Sequence, residues 1–233
     1  MKRALSTLAI LVLASAAIVG QLVLRSARPA SAPAMTEGAL AAFGGLRSIV
    51  AEVVWFRADR LQDEGRYVEL AQLASTLAYL EPHTPEVWSY AAWNLAYNVA
   101  VMMATEEDRW RWVEAGLRLL RDEGLRYNPS SRELCREIAW MFEIKIGGSI
   151  DSAAPIYREK WKAAVEDVAA RGAWEELGMD IGEMRRIEQI TGFSDWTDPQ
   201  LSAIYWGVRG HCRDIVAQSS AIYRKRHGAG PRR

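Results

Sequence analysis

The sequence predicts an all-α fold of stacked antiparallel helical hairpins. In most segments the apolar residues recur with a period near 3.6, as Leu70, Ala74 and Leu77 do in the segment 67–80. Helix-starting residues and glycines divide the chain into segments of helical length. No stretch shows the alternating pattern of a strand, and no hairpin dipeptide lies between β-branched runs.

The first three predicted helices span residues 48–64, 67–80 and 85–103. Gly65 ends the first of them, since glycine is favoured directly after a helix. Pro85 opens the third, because the first helical position has no hydrogen bond that proline would remove.

Capping boxes mark the next two predicted helices. Thr105 with Asp108 resembles such a box, and Ser130 with Glu133 matches it fully. Gly147, followed by a second glycine, ends the later helix. The two predicted ranges are 106–127 and 132–146.

Three further predicted helices complete the chain. Asp151 opens the first, Gly192 ends the second, and Asp198 followed by Pro199 starts the last. The predicted ranges are 151–171, 180–191 and 198–226.

The N-terminal segment predicts a membrane anchor. Lys2 and Arg3 precede residues 4–24, which carry no charge. At roughly 1.5 Å per residue, a helix of this length just spans a hydrocarbon core of about 30 Å. Two interpretations stay open, an uncleaved signal anchor and an export signal that is cleaved near Ala32. Both place the body in the bacterial periplasm. An uncleaved anchor would hold it by a single pass in the inner membrane, and cleavage would release it. Arg25, on the far side of the apolar segment, leaves an inverted topology as a third option.

The rest of the chain divides into four predicted regions. A proline-containing linker and entry segment comes first, then the helical repeats, a C-terminal helical extension and a basic disordered tail. The predicted ranges are 25–47, 48–171, 172–226 and 227–233.

The charge distribution argues against nucleic acid as a partner. Four of the 29 basic residues precede Met35 and five follow Tyr223, while all 29 acidic residues lie between these positions. The body therefore has 20 basic and 29 acidic residues, a formal net charge of −9. Such a body does not attract a phosphate backbone.

Two stretches of the chain carry the same pattern of a stop, a proline, a helix cap and a restart. Pro82 aligns with Pro129, and Glu86 aligns with Glu133. Repeated helical hairpins build binding surfaces more often than catalytic clefts.

These repeats resemble tetratricopeptide repeat proteins over residues 55–171. Ala71 and Ala78 take the two small positions of the first unit, whereas Gly124 takes the second small position of the next unit and Leu117 occupies the first. The resemblance implies a right-handed solenoid whose A helices line a concave binding face. Several strings are also similar to a group of membrane-anchored helical-repeat proteins of bacteria.

The resemblance places candidate partner-binding residues on the A helices. Asn94 and Asn98 lie one turn apart and share a face, although hydrogen bonding between packed helices is an equally simple role for them. Most of the ten tryptophans are expected in the core, and several could line a groove. The candidates are Arg57, Arg60, Asn94, Asn98, Arg136, Trp140 and Lys145.

The sequence offers no complete catalytic constellation, and we expect neither cofactor nor metal. His211 and Cys212 are adjacent, so on a helix they point about 100° apart and cannot act as base and nucleophile. Glu175 and Glu176 are typical of a helix start or a solvated face. Cys212 and Cys135 could pair in an oxidising compartment or remain buried thiols.

Two functions fit the sequence. The first is a non-catalytic, membrane-anchored scaffold that binds a protein partner or serves as an accessory subunit of an envelope complex. The alternative is an exported ligand-binding or hydrolytic domain with a pocket between the repeats and the C-terminal helices.

Overall fold

A computed structural model describes residues 44–228, and all regular structure in that part of the chain is helical, as predicted. The chain divides into two compact units, residues 1–57 and 58–233, and the packing below is that of the second unit. The predicted anchor at 4–24 lies outside the described residues, as do most of the linker and the last five residues.

Nine helices make up the described part of the chain, and Gly65 and Pro85 hold their predicted places at helix ends. The helices are α1 (Gly44–Asp63), α2 (Tyr67–Leu80), α3 (85–102), α4 (106–127), α5 (132–146), α6 (Ala154–Arg171), α7 (Ile181–Thr191), α8 (Pro199–Arg209) and α9 (Arg213–His227), with a 3₁₀ turn at Trp174–Leu177.

Side-chain caps start several of these helices. The predicted cap of α4 is confirmed, since the Thr105 hydroxyl accepts a hydrogen bond from the backbone N–H of Asp108 at 3.1 Å. The predicted cap of α5 is wrong by one residue. Ser131 is the cap, and its hydroxyl accepts from the N–H of Leu134 at 3.2 Å. Ser130 lies in the turn before the helix and is too early to reach a free N–H of the first turn.

The predicted final helix over 198–226 is in fact two helices, α8 and α9, joined by a sharp turn. His211 has a left-handed φ of 57°, which reverses the chain. A Cβ on Gly210 would lie 2.9 Å from the backbone nitrogen of Arg136, so this end of α8 can approach α5 only because the residue is glycine. Gly210 thus allows α8 to pack closely on α5 at the point where the chain turns.

Three helices contain a π turn, which sequence periodicity does not predict. The turns lie in α3 at Asn94–Val99, in α4 at Leu119–Gly124 and in α5 at Met141–Ile146. Because π hydrogen bonds join residues five apart instead of four, each turn holds one residue more than an α turn.

Helices α3, α5 and α8 form the middle of the second unit. Helix α3 packs against α2 and α4, α5 packs against α3 and α8, and α6 covers parts of α4 and α5. Residues 199–207 of α8 are all buried, and α9 lies against α8. The approach of α4 to α3 requires Gly116, since a Cβ there would lie 2.8 Å from the carbonyl oxygen of Ala92.

Candidate partner-binding surface

Three aromatic rings join the solvent-facing sides of α3 and α5. The ring centroids of Trp93 and Tyr97 are 4.1 Å apart, and those of Trp93 and Trp140 are 5.3 Å apart. Tyr97 and Trp140 are separated by 6.3 Å, and all three pairs are stacked. Each ring is close to both others, so the rings form a triangle. We call Trp93, Tyr97 and Trp140 the aromatic patch.

The two tryptophans occupy equivalent positions on α3 and α5. Each indole lies nine residues after the N-cap of its helix, which is Thr84 for α3 and Ser131 for α5. Each is also followed directly by a π turn. The two helices therefore present the same side chain side by side, and the two indoles stack.

The indoles remain partly in water although they pack on each other. Trp93 is 38 % exposed and Trp140 is 37 % exposed, whereas Trp88 and Trp206 are fully buried. A buried tryptophan fills the core, but a paired and half-exposed one leaves apolar area that a partner can cover. Tryptophan is also prominent among residues that dominate binding energy at interfaces.

A shallow cleft opens beside the aromatic patch. Its enclosed space is only about 10 Å³, room for about one water molecule, whereas small-molecule pockets have roughly 300–1,000 Å³. The cleft is therefore a shallow depression of the surface rather than a small-molecule pocket. Besides the three rings, it is lined by Ser89, Ala92, Leu120, Glu137 and Met141.

A buried ion pair supports the patch from inside. The ammonium of Lys145 lies 5.0 Å from the ring centroid of Tyr97 and 2.6 Å from Oδ2 of Asp151. The same oxygen accepts a hydrogen bond from the hydroxyl of Tyr157 at 3.1 Å, and Oδ1 accepts from the N–H of Ala153 at 2.9 Å. Lys145 is therefore a support of the patch and is buried away from its surface.

The protonation of Asp151 follows from these contacts. Burial alone would raise its pKa, but the hydrogen bond from Lys145 and those from Ala153 and Tyr157 outweigh burial. The pKa of Asp151 is held below its ordinary value, so this carboxylate is ionised near neutral pH.

Three carboxylates lie beside the patch, and we call Glu86, Glu133 and Glu137 the acidic rim. Burial is the main cause that raises the pKa of Glu133. The charge of Glu86 adds to this effect, and the charge of Glu137 adds a smaller part. Arg136 opposes this effect and lies 3.5 Å from Glu137. Within residues 50–228, neither Glu86 nor Glu133 forms an ion pair, so the rim retains negative charge.

The predicted asparagine pair stabilises its own helix. Asn94 is buried, and its amide donates to the carbonyl oxygen of Tyr90 at 2.9 Å. The amide of Asn98, which is half-buried, donates to Oδ1 of Asn94 at 2.7 Å. Both bonds run within α3 across the start of its π turn, so they satisfy polar groups near the patch without forming part of its surface.

The structure places the three predicted arginines at the surface. Arg57 is exposed and belongs to the first unit, so its position relative to the patch is not described. Arg60 pairs with Glu64 on its own helix at 2.9 Å, and Arg136 borders the acidic rim. Of the seven predicted site residues, Trp140 is a member of the patch itself.

The prediction missed Trp93 and Tyr97. The alignment of Pro82 with Pro129 also pairs Trp93 with Trp140, because both pairs are 47 residues apart. Tyr97 follows Trp93 by one helical turn and shares its face. The repeat spacing therefore contained the signal for both residues.

Chemical and membrane features of the described residues are limited. No group of three or more His, Cys, Asp or Glu residues there could hold a metal ion. Within residues 44–228, no helix is both long enough and apolar enough to cross a membrane. Cys135 and Cys212 are free thiols, and burial raises the pKa of both. A raised pKa keeps a thiol protonated and makes it a poor nucleophile.

Comparisons of this chain with protein-family models, with curated proteins and with solved structures find no match.

Proposed function

We propose that this protein is a non-catalytic scaffold, anchored in the bacterial inner membrane, that binds a protein partner or serves as an accessory subunit of an envelope complex. The observation that carries the proposal is the stacked, half-exposed pair of Trp93 and Trp140 on neighbouring helices. Such a pair offers rigid apolar area at little cost in side-chain entropy, which suits a protein interface.

We also propose that the helices belong to a right-handed solenoid of the tetratricopeptide type. Two small residues per B helix support this arrangement. Ala71 and Ala78 are buried in α2, and Gly116 and Gly124 lie at close contacts of α4. The second pair is one residue further apart than the first, and the π turn at Leu119–Gly124 accounts for that residue. On this basis Gly116, and not Leu117, takes the first small position.

The membrane tether is supported by the uncharged run at residues 4–24, which follows two basic residues. A tether raises the local concentration of the scaffold near other envelope proteins, so a modest affinity at the patch suffices for stable association.

The alternative of a ligand-binding or hydrolytic domain receives less support. The buried residues 199–207 of α8 occupy the junction between α5 and the C-terminal helices, where that pocket was expected. The raised pKa of the Cys212 thiol also disfavours a nucleophilic role.

Copurification from membranes solubilised in mild detergent tests the scaffold proposal. The full-length protein is expected to recover a stoichiometric protein partner. The variant Trp93→Ala/Trp140→Ala is expected to lose that partner while it keeps its helix content by circular dichroism. Ile190→Ala removes a 77 % exposed side chain from α7 and serves as the matched control. Equal recovery by the double variant and the control contradicts the proposed surface.

A further inference from the structure

We infer that the aromatic patch binds a positively charged side chain, lysine or arginine, of a partner peptide; this inference rests on the proposed function and specifies the chemistry of the partner. Two features of the surface carry it, namely the partly exposed indoles and the acidic rim.

The aromatic rings of the patch attract cations. An indole face carries the negative part of the aromatic quadrupole, and tryptophan is the best aromatic partner for an ammonium or guanidinium group. The cluster already interacts with one such group, because the ammonium of Lys145 lies 5.0 Å from the ring centroid of Tyr97. That cation is buried. Trp93 and Trp140 are stacked on their neighbours and partly exposed, so a partner's cation binds the indole surface that this stacking leaves in solvent.

The acidic rim also attracts cations, and its charges act over a longer range than the rings do. Glu137 lines the cleft together with both indoles, and Glu133 lies close enough to feel the charges of Glu137 and Glu86. Arg136 and the side chain of Ser89 act in the opposite direction on the pKa of Glu133. A cation brought to the patch offsets the repulsion among these carboxylates, which adds to burial in raising the pKa of Glu133.

The shallowness of the cleft limits how a ligand binds. Its enclosed space is only about 10 Å³, room for about one water molecule, so a side chain lies across the indoles beside Glu137 and does not enter a pocket. A guanidinium group can stack on an indole and also donate to a carboxylate, which matches the two kinds of group present. A neutral sugar would use the rings but would bring no positive charge to the acidic rim, where Glu137 is the member paired with Arg136.

Equilibrium binding of short peptides to the full-length protein in uncharged detergent tests the inference. The probe is acetyl-Ala-Arg-Ala-Arg-Ala-amide with a neutral fluorophore, followed by fluorescence anisotropy at low salt. The comparison peptide replaces arginine by citrulline, which keeps the shape and removes the charge. We expect the citrulline peptide to bind about three- to thirtyfold more weakly, in line with a partly exposed cation–π contact plus carboxylate pairing.

Two sets of variants locate the effect. Glu133→Gln/Glu137→Gln preserves shape and is expected to weaken the arginine peptide about three- to tenfold. Glu159→Gln/Glu175→Gln removes two exposed carboxylates from elsewhere in the chain and is expected to change binding less than about twofold. Trp140→Phe, which keeps an aromatic ring, is expected to retain more binding than Trp140→Ala.

The possible failures are distinguishable. Equal binding of the arginine and citrulline peptides, no binding of either peptide, or preferential binding of a neutral trisaccharide such as maltotriose overturns the cation inference. If the protein partner is lost from Trp93→Ala/Trp140→Ala but retained by Glu133→Gln/Glu137→Gln, the scaffold surface stands and the cation inference fails. If both variants retain the partner, the proposed surface itself is wrong.

Discussion

Replacement of Lys145 by methionine tests whether the aromatic patch depends on a buried charge. Methionine keeps the volume of the side chain but removes the ammonium group that lies 2.6 Å from Asp151. Lys145 is 5 % exposed and the side chain of Asp151 is 9 % exposed, so water cannot replace the lost partner. The variant leaves the buried carboxylate with the Tyr157 hydroxyl and the Ala153 N–H as hydrogen-bond donors, and with the guanidinium of Arg109 at 3.9 Å from Oδ1.

The expected loss is large. Removal of one partner from a buried ion pair costs roughly 3–5 kcal/mol of the free energy of unfolding. For a chain of this size, each kcal/mol corresponds to about 2–4 °C, so the unfolding midpoint is expected to fall by about 6–20 °C. Urea unfolding followed by circular dichroism measures the free energy, and thermal unfolding measures the midpoint.

The loss also depends on pH with a definite sign. The folded pKa of Asp151 lies below its ordinary value of 3.8, so its contribution to stability is present above that value and disappears as the pH falls through the folded pKa. Burial is the largest single influence on the pKa of Asp151, so the loss of the Lys145 hydrogen bond and charge shifts that pKa upward. The difference in stability between Lys145→Met and the parent protein is therefore largest near neutral pH and shrinks in acid.

Lys162→Met is the matched control. Lys162 pairs with Glu166 at 3.7 Å on an exposed face of α6, where the same substitution is expected to cost less than about 1 kcal/mol. A loss below about 1 kcal/mol for Lys145→Met, or a loss that grows in acid, would refute the buried-pair argument.

Two further substitutions test the helix ends. Ser131→Ala is expected to lower the free energy of unfolding by about 1 kcal/mol because it removes the cap of α5, and Ser130→Ala, one residue earlier, is expected to change it by less than about 0.5 kcal/mol in the same urea assay. The reverse order would contradict the cap assignment. Arg226→Ala removes the guanidinium that lies 2.8 Å from the buried carboxylate of Asp198 and also donates to the carbonyl oxygen of Gly147. We expect amide hydrogen exchange in α9 to accelerate, because the free energy of opening this helix falls by about 1–3 kcal/mol. Lys225→Ala is expected to leave the exchange unchanged. Similar exchange in both variants would show that Arg226 does not hold α9 in place.

Local signals predicted the helices well because they act within a few residues. Periodicity, Pro85 and the Thr105 cap depend on the chain close to them, and the structure agrees at each place. The break at Gly210 was missed although glycine is itself a local helix-stop signal. What no local pattern contains is the approach of Arg136 from α5, which leaves no room for a side chain at this position.

Residue type was a poor guide to the candidate site. Lys145 is buried on α5, but a lysine suggests exposure until Asp151 is seen beside it. That pairing depends on the path of the chain between the two residues. Trp93 was accessible to sequence reasoning, since the spacing that relates Pro82 to Pro129 also relates Trp93 to Trp140.

The matched π turns of α3 and α5 restrict how the chain length can vary. A single deletion within Asn94–Val99 would restore α geometry there and rotate the following residues by about 100° relative to α5. The same deletion within Met141–Ile146 would rotate the end of α5 to match. Homologous chains are thus expected to gain or lose these two residues together, and a chain with only one of the turns would bring non-equivalent side chains face to face beyond the two indoles.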